Sequence, residues 1–185
     1  MEMGRRKMNR FILDEDPQIA AEYHCDKHVV KMILEEAQML STAHRILDGK
    51  EYIGQSKSGR KAKRWILPDE RETILYSATH VNHPCTQWSM HTSANYIWGV
   101  SLFTCLLEEY SYRYGKEHKC AALYPTLQKL PKNIMSANRT WFPQAMPDDC
   151  KRENPVDGYR TYYIEHKKRF AKWSNRPTPG WFDVS

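Results

Sequence analysis

Apolar positions recur at helical spacing over most of the chain. After Asp26, Val29, Val30, Ile33, Leu34, Ala37 and Leu40 fall on one arc at about 100° per residue. His24, Lys27, His28, Lys31, Glu35, Gln38 and Thr42 fall on the opposite side. The pattern predicts a long helix, capped by Asp26, that runs to about Leu47 and stops at Asp48-Gly49. From Ser93 to Tyr114, apolar side chains from Ile97 to Leu107 surround the axis almost completely, and Gly115 ends the run. This is the expected central buried helix. Pro17, Pro84 and Pro155 each follow a polar capping residue and open further helices. In the last of these, Tyr159, Tyr163, His166, Phe170 and Trp173 recur at three- and four-residue steps as a core-facing stripe.

Elsewhere the periodicity fails. Asn9 to Leu13 fits a strand or an extended segment packed on the helices. Residues 50–64, rich in glycine, serine and basic side chains, read as a mobile basic loop. Residues 131–155 carry four prolines and read as a long irregular segment. The fold expected is all-α (mostly helical): a single compact domain over 9–185, preceded by a flexible basic extension over 1–8, with Met8 as an alternative start.

Composition narrows the function classes. At 185 residues, 41% hydrophobic and 12% aromatic, the chain is long and apolar enough to bury one core. The net charge of +6 points to a polyanionic partner: nucleic acid, a nucleotide or an anionic surface. Five cysteines with no C-x-x-C pair fit reduced cytoplasmic thiols better than a disulfide framework or zinc ribbon. No apolar run is long enough for a membrane span, and no signal-peptide pattern is present.

The chain has no Gly-rich phosphate loop, no Gly-x-Ser-x-Gly elbow and no Rossmann fingerprint. His24 and His28 have the i, i+4 spacing of two metal ligands, but no third ligand is specified, so neither metal nor cofactor is expected. What remains is His28, Lys31 and Glu35 on one helix stripe. The plain reading is a solvated face with a Lys31–Glu35 ion pair worth about 0.3 kcal/mol. The sharper reading has Glu35 stabilise a developing sugar cation or activate water at a glycosidic centre, with Lys31 and His28 assisting. Phosphates would then be gripped by Arg60, Lys61, Lys63 and Arg64 and by Arg160 and Lys167 of the last helix. Trp88 and Tyr163 would stack on a displaced base.

Two resemblances bear on this reading. Asp26-Lys-His-Val-Val-Lys-Met, Asn82-His-Pro-Cys, Glu109-Tyr-Ser-Tyr-Arg-Tyr-Gly-Lys116-x-His118-Lys119 and Tyr159-Arg-x-Tyr-Tyr resemble a family of small uncharacterised tailed-phage proteins. The order of features is also similar to the phage pyrimidine-dimer DNA glycosylase/AP-lyase family. That family is a compact helical fold with an Asp and, nine residues on, a catalytic Glu, matched here by Asp26 and Glu35. His83-Pro84 resembles its turn before the central helix, and Tyr159 to Lys167 its DNA-contacting C-terminal segment. The chain departs from that family in placing Leu34 and Glu36, not arginines, beside Glu35, and in a longer N-terminal segment than the one whose α-amino group serves there as nucleophile. The resemblance implies a DNA- or nucleotide-acting phage protein with base-excision-like N-glycosidic activity. The alternatives are a nucleotide-sequestering or host-inhibiting accessory protein and a DNA-binding protein without catalysis.

Overall fold

The computed structural model describes residues 8–56 and 58–182. Helices α1 (Pro17–Tyr23) and α2 (Asp26–Asp48) are followed by strands β1 (Lys50–Gln55) and β2 (Lys61–Ile66) and the single turn α3 (Arg71–Ile74). Helices α4 (Pro84–His91), α5 (Ser93–Tyr114), α6 (Tyr124–Leu127) and α7 (Pro155–Lys167) complete the chain, with 3-10 turns at Lys119–Leu123 and Asp148–Cys150. The protein is a mostly helical single domain with a small two-strand hairpin. Among the described residues no helix is long and apolar enough to cross a membrane.

The proline signals are local and hold. Asp16 accepts the Gln18 and Ile19 N–H groups ahead of α1. His83 Nδ1 accepts the Cys85 N–H ahead of α4, and Asn154 the Val156 N–H ahead of α7. Gly115 closes α5 in the left-handed conformation at φ 64°. The cap of α2 differs from expectation. Cys25 takes that position without a side-chain bond, and Asp26 is the first helical residue. Asp26 instead accepts bonds from Arg113 Nη1 at 2.9 Å and from Ser174 Oγ at 2.7 Å.

Helices α2 and α5 pack together at the centre, with α1 against α5 and α4 against both. Asn9 to Leu13 is extended and buried, without strand pairing. Within it Arg10 is wholly buried. Its Nε and Nη2 donate to the two carboxylate oxygens of Glu36 at 2.7 and 2.5 Å. The guanidinium also faces the Trp88 and Trp98 rings at 5.4 and 5.9 Å. It can approach α5 because position 99 is glycine: a Cβ there would lie 2.9 Å from Nη2.

The basic extension expected over 1–8 falls outside the described residues except for Met8, which is buried. The basic loop expected over 50–64 is corrected. It is mostly an antiparallel hairpin, with Tyr52 opposite Arg64 and Ile53 opposite Lys63; Lys57 lies outside the described residues. The composition hid the alternation of Tyr52, Gly54, Ala62 and Arg64 on one face with Ile53, Lys61, Lys63 and Trp65 on the other. Two strands alone are marginal in water. Arg45, near the end of α2, supplies the anchor. Its five N–H donors reach Tyr76 O, Trp65 O, Glu72 Oε2, Glu72 O and Leu75 O.

Residues 131–154 are irregular apart from the 3-10 turn at 148–150, and hydrogen bonds hold them to the helices. Asp48 accepts the N–H groups of Lys132 and Asn133, and Asn95 accepts that of Thr140. Tyr159 on α7 donates to Pro143 O at 2.8 Å. The stripe expected on the last helix is partly corrected. Tyr159 and Tyr163 are fully buried, whereas His166 is exposed, and the helix ends at Lys167, before Phe170 and Trp173.

Candidate functional site

One side of α2 opens on a cleft of about 450 Å³. That is a volume typical of small-molecule sites. Val30, Lys31, Leu34, Glu35 and Gln38 form its floor, and Met8, His80, His118, Lys119 and Cys120 its walls. Of the three predicted catalytic residues, the structure brings Lys31 and Glu35 to this cleft and leaves His28 out.

Glu35 is held from two sides. Its Oε2 accepts the Asn9 N–H at 2.9 Å and its Oε1 lies 3.2 Å from Lys31 Nζ. The residue is 7% exposed, while the Lys31 side chain keeps 46% of its surface in water. The result is a fixed carboxylate at the floor and a movable amine at the rim. Val30 and Leu34, assigned by periodicity to the core arc, are among the exposed large hydrophobics and give the cleft its apolar lining. The core takes a wider part of the helix than that arc, including Met32, Glu36, Met39 and Ala43.

His28 belongs to the core. Its ring stacks on Phe11 at 4.5 Å, and Nδ1 shares a 2.5 Å hydrogen bond with the Tyr163 hydroxyl. Burial, reinforced by the His24, Lys167 and Lys31 side chains, lowers its pKa to about 2. It is a neutral packing residue, which corrects the catalytic role expected of it.

The predicted base-stacking residues are corrected likewise. Trp88 is 6% exposed, packed between Trp98 and Phe142, and Tyr163 is 0% exposed. Neither presents a face to a ligand. Arg160 is spent internally: Nε donates to Leu13 O at 2.9 Å and Nη2 to Asp14 at 3.0 Å, with its guanidinium over Tyr23 and Trp181. Lys167 places its amine over the Phe11 and Tyr162 rings at 5.8 and 4.6 Å and does not line the cleft. Burial, and then the charges of Lys31 and Arg169, hold its amine below the ordinary lysine value. Arg60, Lys61, Lys63 and Arg64 stand on the hairpin, away from the cleft. Lys63 pairs with Glu51 at 3.0 Å, and Arg64 donates to Gln55 O.

Two cleft residues carried no role in the sequence. His118 caps the 3-10 turn at Lys119–Leu123 by accepting the Cys120 N–H on Nδ1 at 3.1 Å. With burial, and then the adjacent Lys119, lowering its pKa, the ring is neutral and its proton sits on Nε2, an available donor. His83-x-Cys85 uses the same cap, so the repeated His-x-Cys spacing was the one sequence signal for it. His80 adopts φ 48°, a left-handed conformation uncommon outside glycine, with Nδ1 bonded to Thr79 Oγ1 at 2.8 Å. Nothing in the periodicity marks that position.

Asp26, which the glycosylase resemblance pairs with Glu35, is committed to Arg113 and Ser174 and does not line the cleft. Arg113 also binds Glu109 at 2.6 Å, and Glu109 binds Arg176. This ionic cluster ties the start of α2 and the end of α5 to the C-terminal segment. Compared with family models, with curated proteins and with solved structures, the chain matches none.

Proposed function

We propose that this protein takes one nucleotide unit of a nucleic-acid strand into the Glu35 cleft and promotes cleavage of its N-glycosidic bond. The observation that carries the reading is the fixed carboxylate of Glu35 at the floor of a nucleotide-sized cleft with cationic and imidazole groups on its walls. In that reaction water attacks the anomeric carbon while the carbon–nitrogen bond breaks. The electron pair leaves with the base, the water proton passes to Glu35, and the departing base, hydrogen-bonded by the His118 Nε2–H, takes its proton from solvent water. The carboxylate also opposes the positive charge that develops on the sugar.

The hairpin favours a polymeric substrate. Between positions 50 and 66 there are six basic side chains and one acidic. At about 1.5 Å of helix rise per residue, the start of β1 lies roughly 20 Å from Glu35. A mononucleotide in the cleft cannot reach that far, whereas a strand of several nucleotides can. Lys31 at the cleft edge adds to the same electrostatic track.

A second reading, binding without turnover, is favoured by the fact that both Glu35 oxygens are engaged, one by the Asn9 N–H and one by Lys31. One substitution separates the two. Glu35→Gln keeps an oxygen for the Asn9 N–H and removes the charge. Base release from damaged or modified DNA is expected to fall by about a hundredfold or more with binding retained. Release at the wild-type rate in that variant eliminates the catalytic reading. Stoichiometric retention of intact ligand by the wild type establishes the binder.

A further inference from the structure

Outside the cleft, Asp149, Cys150 and His166 converge. A carboxylate oxygen, Sγ and an imidazole nitrogen all lie within 4.8 Å of one another. Asp149 and Cys150 are consecutive in the 3-10 turn Asp148–Cys150, and His166 is in the last turn of α7, against which that turn packs. We propose that these three side chains bind a zinc-class divalent ion.

The donor set chooses the ion. One sulfur, one nitrogen and one oxygen suit a borderline cation such as Zn²⁺, whereas Mg²⁺ and Ca²⁺ demand oxygen shells. With metal–ligand bonds of about 2.0–2.3 Å, tetrahedral donors lie roughly 3.3–3.7 Å apart. The three donors already lie within 4.8 Å of one another, and Asp149 and His166 are exposed side chains beside the buried Cys150. The turn is already rigid. Cys150 N–H donates to Pro147 O at 3.0 Å, Arg152 Nη1 to Asp149 O at 2.8 Å, and Arg152 N–H to Gln144 Oε1 at 3.0 Å. On binding, the thiol proton goes to solvent, the thiolate and the neutral imidazole each donate an electron pair to the metal, and no oxidation state changes.

The consequence is a clip. The ion joins the proline-rich segment to the end of α7, beside Lys167, adding to the Tyr159 hydroxyl, which donates to Pro143 O and accepts the Ala145 N–H.

Titration of the metal-free, untagged full chain with Co²⁺ tests this. One equivalent is expected to develop the thiolate-to-cobalt charge-transfer absorption, and Zn²⁺ to displace it. Cys150→Ser abolishes the band. His166→Ala and Asp149→Asn, both at exposed positions that leave the fold intact, weaken affinity by about tenfold or more, since loss of even an outer-shell partner costs that much. Cys105→Ser, at the one cysteine of intermediate burial, leaves the band unchanged. Zn²⁺ raises the melting temperature of the wild type but not of Cys150→Ser. No band in the wild type, or a band that persists in Cys150→Ser, overturns the assignment.

Discussion

Arg10 grips Glu36 inside the core while its neighbour Asn9 donates its backbone N–H to Glu35 at the cleft. Two consecutive residues of the N-terminal segment therefore hold two consecutive glutamates of α2, one structural and one facing the ligand space. Breaking a buried pair leaves an uncompensated charge and costs about 3–5 kcal/mol. Arg10→Met and Glu36→Met are each expected to lose that much stability in urea unfolding. The double variant Arg10→Met/Glu36→Met recovers most of it. Additive losses in the double variant contradict the coupling.

Three buried histidines set the pH response. Burial lowers His24 and His44 to about 4 and His28 to about 2. Each is neutral in the folded state and takes up a proton in the unfolded chain below about pH 6.5. The unfolded state then binds more protons, so stability is full above that pH and falls as pH drops toward the folded values. The slope is at most about 1.4 kcal/mol per pH unit for each histidine. Asp26, Asp48 and Asp69, lowered by their hydrogen-bonding partners, add losses only in more acid solution. Urea unfolding at pH 7.5 and pH 5 should show the decline, and His28→Phe should make it shallower. An unchanged slope in His28→Phe contradicts the placement of that ring.

The hairpin cations should affect binding and leave folding nearly untouched. Lys61→Ala, Lys63→Ala and Arg64→Ala remove side chains that reach solvent, and the Lys63–Glu51 pair is worth less than about 1 kcal/mol. Each is expected to lower single-stranded DNA affinity and to reduce the magnitude of the log-affinity against log-salt slope by about 0.7. Binding of a mononucleotide should not change. Equal effects on both ligands would show that the hairpin acts through the fold.

His80 separates stability from function. Glycine relieves the left-handed backbone but adds entropy to the unfolded chain, and the two roughly cancel. His80→Gly should keep stability within about 1 kcal/mol of the wild type while weakening ligand binding in the cleft. A large stability loss would mean that the imidazole supports the fold rather than the ligand.

Periodicity, proline positions and caps determined most of the helices and the irregular stretch after residue 131, because each depends on neighbours a few residues apart; α5 is not buried all round as its apolar run predicted, since Ile97 is 53% exposed and Cys105 and Leu107 are half-buried. The Lys31–Glu35 pair was legible for the same reason. Whether that stripe faced water, core or a cleft was not. His28 and Glu35 share one side of α2, yet the first meets Phe11 and Tyr163 and the second meets Asn9 and the cleft. Partners so distant in sequence leave no periodic trace, so the tertiary structure alone decided which polar side chains became core, which became wall, and where Asp149, Cys150 and His166 came together.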